Sequence, residues 1–162
     1  MAVFSADWTL VTWSPLWAAL LGDPLRLPAA ERNIVAAAFL GSLPVRRGSL
    51  TLEPALVADL RAATVRYPAD RGLAELVRRC LAGSERFAEL WRAGAVGEHT
   101  HDRKVVAHPA VGEVVLDCDV LTVPGADLKI VVYSAAAGSV DAEKLDFLRV
   151  TGVTGVTGVA VG

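Results

Sequence analysis

Between Glu113 and Thr122 apolar and acidic side chains alternate: Val114, Leu116, Cys118 and Val120 fall on one side, Glu113, Asp117 and Asp119 on the other. Period-two alternation describes a strand resting on a core with its other face in water; an amphipathic helix needs a period of 3.6. Turn chemistry brackets the stretch, with His108-Pro109 and Gly112 on one side and Pro124-Gly125-Ala126-Asp127 on the other. Proline presets φ there and glycine accepts positive φ. Arg103 to Tyr133 is therefore expected to form three consecutive antiparallel strands with one buried face. Such a face must be covered, and the amphipathic segments around it are read as the cover.

In chain order, Trp8 to Ser14 reads as a short strand ending at a serine cap, and Pro15 to Leu21 as a helix stopped by Gly22. Pro28 is expected to open a second helix that runs to Gly41, and Ser42 to Leu52 to form a loop. Three amphipathic helices follow. Glu53 to Tyr67 carries Leu56, Leu60, Ala63 and Tyr67 on one stripe; a helix capped by Asp70 carries Leu73, Leu76, Val77 and Cys80; a helix capped by Ser84 carries Phe87, Leu90 and Trp91. After the sheet region, Gly138-Ser139 introduces a last helix from Val140 to Arg149 with Leu145 and Leu148 buried. Residues 1–150 are expected to form one domain, and the TGV repeat of 151–162 a loose tail or added edge strand.

Composition narrows the function classes. With 53% hydrophobic and 21% charged residues, the 162-residue chain can bury a core. No apolar run approaches the ~18 residues of a membrane helix, and the start lacks a basic, apolar, small-residue leader pattern, so the expected location is cytoplasmic with no membrane partner. A net charge of −2 without a concentrated basic face argues against direct DNA binding. Cys80 and Cys118 read as buried thiols. No nucleophile elbow, zinc-protease, Walker A or dinucleotide fingerprint occurs, so no enzyme activity and no cofactor are expected. The sharpest contrary pattern is His99-x-His101-Asp102 with His108, which offers nitrogen and oxygen ligands suited to zinc and makes a metal-dependent enzyme the second alternative. Asp117 and Asp119 share a strand face, but no base or nucleophile is spaced to work with them.

Taken in order, ADWTLVTWSPLWAALLGD, ERNIVAAAFL, LVADLRAA with YPAD, SERFAELW, RKVVAHPAVGEVVLDCDVLTVP and LKIVVYSAAAGS resemble the MmyB-like ligand-binding domain of XRE-family helix-turn-helix regulators, over about Asp7 to Val150. The resemblance implies an α+β, PAS-like fold: a small antiparallel sheet with helices packed on one face, enclosing an apolar pocket. It implies a sensor of small apolar molecules, fatty acids among them, that passes its state to a DNA-binding helix-turn-helix. None precedes Trp8, so DNA is expected to be reached through a domain outside this chain. The pocket is expected to draw on Trp13, Trp17, Phe39, Leu60, Phe87, Trp91, Leu116, Cys118, Val132 and Tyr133. Arg32 and Asn33 match a recurring pair of the family and are candidate anchors for a ligand head group, or else a helix cap and surface ion pair. The expected assembly is a homodimer, and the first alternative is a dimerisation module whose interior is packed shut.

Overall fold

A computed structural model describes residues 1–41, 45–46, 52–94, 96–97, 99, 102–123 and 125–152, with backbone alone at 45, 46 and 102. One antiparallel sheet runs through it in the order β2-β1-β6-β5-β4-β3. The strands are β1 (Ala2–Phe4), β2 (Leu10–Trp13), β3 (Val45–Arg46), β4 (Asp102–His108), β5 (Gly112–Val123) and β6 (Leu128–Ser134). The expected meander is β4-β5-β6. Register places Val106 opposite Val114, Lys104 opposite Leu116, Cys118 opposite Tyr133 and Val120 opposite Val131, so these side chains share the inner face. Six α-helices among the described residues complete an α+β, PAS-like arrangement: α1 (Pro15–Leu21), α2 (Ile34–Leu40), α3 (Leu52–Arg66), α4 (Arg71–Gly83), α5 (Glu85–Arg92) and α6 (Val140–Thr151).

Several helix starts follow from side-chain capping. Ser14, Asp70, Ser84 and Ser139 accept the backbone N–H of Trp17, Leu73, Phe87 and Ala142, each satisfying a donor the helix leaves orphaned. The second helix starts later than its proline suggests. Ala29–Glu31 is a 3-10 turn, and α2 begins only after Asn33. The reason lies in the backbone: Leu10 N–H donates to the Arg32 carbonyl at 2.8 Å and Ile34 N–H to the Trp8 carbonyl at 3.0 Å. Residues 32–34 are held as a bridge beside the β1–β2 connection and are not available to a helix begun at Pro28.

Two further differences concern the sheet. The first strand, β1, was not expected; it lies between β2 and β6, in the interior of the sheet, with Ala2 and Phe4 fully buried. Three residues are too few for a period to show. In the expected loop Ser42–Leu52, Val45 and Arg46 pair with Val106 and Val105, and Leu52 already belongs to α3. The remainder of that loop lies outside the described residues, as does the tail from 153.

The inner face holds two clusters. The larger joins Phe4, Trp8, Trp17, Cys118 and Val131 to α2–α5. The smaller joins Val106, Val114 and Leu116 to Ala19 and Leu20 of α1 and Leu148 of α6.

Asn33 shows how these parts interlock. Its amide nitrogen donates to the Asp7 carbonyl at 2.8 Å and to Thr9 Oγ1 at 3.0 Å, while its side-chain oxygen accepts from Ala36 N–H at 3.0 Å. Replacing Asn33 by alanine removes a cap and deprives the partly buried Asp7 carbonyl of its side-chain donor, and is expected to cost about 2 kcal/mol. Urea unfolding monitored by tryptophan fluorescence measures it.

Candidate ligand-binding site

The structure brings most of the expected pocket residues into one aromatic layer. Trp17, Phe39, Leu60, Phe87 and Cys118 belong to the larger cluster, and Trp13, Trp91 and Tyr133 pack against it while remaining partly exposed. The rings touch: Phe39 meets Phe87 edge-on at 5.1 Å between centroids, Phe87 stacks on Trp91 at 5.5 Å, and Trp17 stacks on Tyr133 at 5.0 Å. Offset stacks and edge contacts of this kind are favourable, so a guest entering here must replace ring contacts with its own. Four of the expected residues lie elsewhere. Leu116 is enclosed in the second cluster, and Val132 pairs with Asp119 on the outer face of the sheet. Asn33 is committed as a helix cap, and Arg32 Nε donates to the Leu27 carbonyl at 3.0 Å.

A polar assembly that pattern reading missed lies on the same inner face. The Asp59 carboxylate of α3 accepts from the Trp8 indole N–H at 2.9 Å, meets His99 Nε2 at 2.6 Å and lies 3.4 Å from Lys129 Nζ, all at Oδ2. Lys129 also lies 5.1 Å from the centre of the Trp8 ring. Burial alone would push the Asp59 carboxyl up; the His99 hydrogen bond, the charges of Lys129 and His99, and the Trp8 hydrogen bond outweigh it and hold the group below its ordinary value. Trp8 takes a left-handed φ of 65°, uncommon for a bulky residue, and its N–H donates to the Ser5 carbonyl at 3.0 Å. His99 is brought in by a close backbone approach: a Cβ on Gly97 would stand 2.6 Å from the Ala55 nitrogen, so only glycine fits against the first turns of α3.

Beside this assembly lies a hollow of about 180 Å³. Its α3 wall is Asp59, Ala62, Ala63 and Arg66, residues that share one side of a helix. The other wall comes from Thr122, Asp127, Leu128 and Lys129 of the β5–β6 hairpin, with Ala6 closing one side. Arg66 and the Tyr67 hydroxyl both donate to Asp127.

The two described histidines, His99 and His108, are not gathered. His108, at the far end of β4, accepts from Ala110 N–H at Nδ1 (3.2 Å) and so donates from Nε2 to the Ala19 carbonyl at 3.0 Å. β4 is seven residues long, so its two ends stand roughly 20 Å apart. His101 and the Asp102 side chain lie outside the described residues, and among the described residues no three His, Cys, Asp or Glu side chains are placed to hold a metal ion. Cys80 is buried, its thiol pushed up to about 11 by desolvation, so it carries little thiolate near neutrality. Among the described residues no helix is long and apolar enough to cross a membrane.

A one-faced antiparallel sheet covered by helices, with an aromatic layer and a charged hollow at its seam, defines an α+β domain of the PAS-like kind. The sequence model of the MmyB-like transcription regulator ligand binding domain matches residues 1–148, and the chain belongs to that family. No curated protein matches the chain.

The depressed Asp59 carboxyl gives a pH prediction. A group held below its unfolded value contributes stability that is complete above that value, about 3.9, and is lost as pH falls through the folded one. Asp59→Asn should therefore melt below the unaltered chain at pH 7, and the gap should close as pH is lowered beneath about 4. Calorimetry across that range checks it.

Proposed function

We propose that this regulatory ligand-binding domain senses a small apolar, fatty-acid-like molecule held between the inner sheet face and helices α2–α5. The observation that carries the reading is the aromatic layer itself. Trp13, Trp91 and Tyr133 stay partly exposed at the edge of the larger cluster, which is where an elongated guest would meet it. The larger cluster's buried members are apolar throughout, which suits a hydrocarbon chain and offers little to a polar one. Occupancy acts by favouring one placement of α4 and α5 over another, and its reach equals the ligand's difference in affinity for the two states. DNA contact falls to a helix-turn-helix unit, since the net charge of −2 gives this domain no basic face for phosphates. The cytoplasm is the compartment in which such a regulator works.

The packed rings also favour a second reading, a homodimerisation module that acts through its surface. Leu121 and Val115 on the outer sheet face are exposed, at 54% and 37%, where a second copy has apolar area to cover. Titration with dodecanoate, read by tryptophan fluorescence and by native mass spectrometry of protein stripped of lipid, separates the two. Sensing predicts a saturable fluorescence change and a one-to-one adduct. The absence of both, with a dimer in sedimentation that Leu121→Lys dissociates, establishes the second reading in place of the first.

A further inference from the structure

We propose that the hollow between α3 and the β5–β6 hairpin is a second binding site, for a small zwitterion of the α-amino-acid type with a short aliphatic side chain. Its lining carries two carboxylates, Asp59 and Asp127, and two cations, Lys129 and Arg66. These charges sum to zero, so a simple anion or cation meets as much repulsion as attraction there. A molecule bearing both signs lies across the pairs and gains from each.

The free hydrogen-bonding capacity has the same two-sided character. Trp8, His99 and Lys129 all converge on Oδ2 of Asp59, and among the described residues Oδ1 accepts from none. That oxygen suits a ligand ammonium. Lys129 has three N–H donors, and its contacts among the described residues are long, 3.4 Å to Asp59 and 3.5 Å to the Ala6 carbonyl. With the Thr122 hydroxyl beside it in the lining, Lys129 suits a ligand carboxylate. Asp59 and Lys129 are shielded, with side chains 25% and 12% exposed, so pairing there is screened less than at an open surface.

Size and wall chemistry set the rest of the ligand. A volume of about 180 Å³ replaces roughly six waters, room for about eight heavy atoms. Ala6, Ala62, Ala63 and Leu128 offer methyl groups, which favours a short aliphatic side chain over a charged or aromatic one. The site is separate from the aromatic layer and does not rest on its occupancy. The two meet at Ala63, so α3 feels both.

L-Valine is the probe, with isovalerate and isobutylamine as its single-charge counterparts, in ¹H–¹⁵N NMR titrations of the full chain. The expected result is saturable movement of the Ala62, Ala63, Leu128 and Lys129 amides with L-valine, and binding weaker by at least roughly tenfold for either counterpart. Lys129→Met should weaken L-valine by a similar factor. Asp59 is too deeply tied into the fold to serve as the main variant, so the control is Ala62→Phe, which fills the hollow from an exposed helix position and should abolish the shifts while the spectrum stays dispersed. The proposal is overturned by isovalerate or isobutylamine matching L-valine, by no saturable shift up to roughly 10 mM, or by shifts that survive Ala62→Phe.

Discussion

The fold turns on one carboxylate. Asp59 projects from the middle of α3 and gathers the indole of Trp8, the imidazole of His99 and the ammonium of Lys129. These partners come from the β1–β2 connection, the segment ahead of β4, and β6. A charge withdrawn from water is tolerable only when paired and hydrogen-bonded, and here each partner also solves a problem of its own. Trp8 places its polar edge, Lys129 its charge, and α3 acquires a fixed distance from the sheet. Beside this contact, small alanines of α3 face the hairpin and line the hollow.

The helical cover is divided. Ala19 and Leu20 of α1 and Leu148 of α6 close over Val106, Val114 and Leu116, whereas α2 to α5, joined by Trp17 of α1, close over Cys118, Val131 and the aromatic layer. Both groups sit on the same sheet face, and Tyr133 touches both. The side toward α6 is built from small and branched aliphatic side chains, buried and close-packed. The other side is built from flat rings whose stacking energies are modest and geometrically permissive. If a guest displaces anything on this face, the ring side is where the contacts are easier to exchange.

Period and cap chemistry make most of the architecture legible in the sequence. The β4-β5-β6 meander, the start of α1 after Ser14, and α4 and α5 after Asp70 and Ser84 all follow from local rules, because in each the neighbouring residues supply the deciding interaction. The readings that failed are those decided at a distance. Pro28 gives a genuine helix-start signal, yet the carbonyl of Arg32 and the N–H of Ile34 are claimed by residues 22 to 26 positions earlier. Part of the candidate layer is legible as a packing set: Trp17, Phe39, Phe87 and Cys118 share one cluster as apolar side chains do, whereas alternation with Val131 and Tyr133 puts Val132 on the other face. The same alternation held an unused clue: Lys129 falls in step with Val131 and Tyr133, a lysine on the greasy side of a strand, and such a position calls for a buried counter-charge.

The first strand has a mechanical meaning. β1 is hydrogen-bonded along both edges, to β2 and to β6, and Ala2 is already fully enclosed. A segment joined ahead of it would be coupled to the centre of the sheet without slack, as a handle is to a shaft. Any twist of β6 would pass into that segment directly through the β1–β6 hydrogen bonds, whereas a partner attached past α6 would feel it only through side-chain packing.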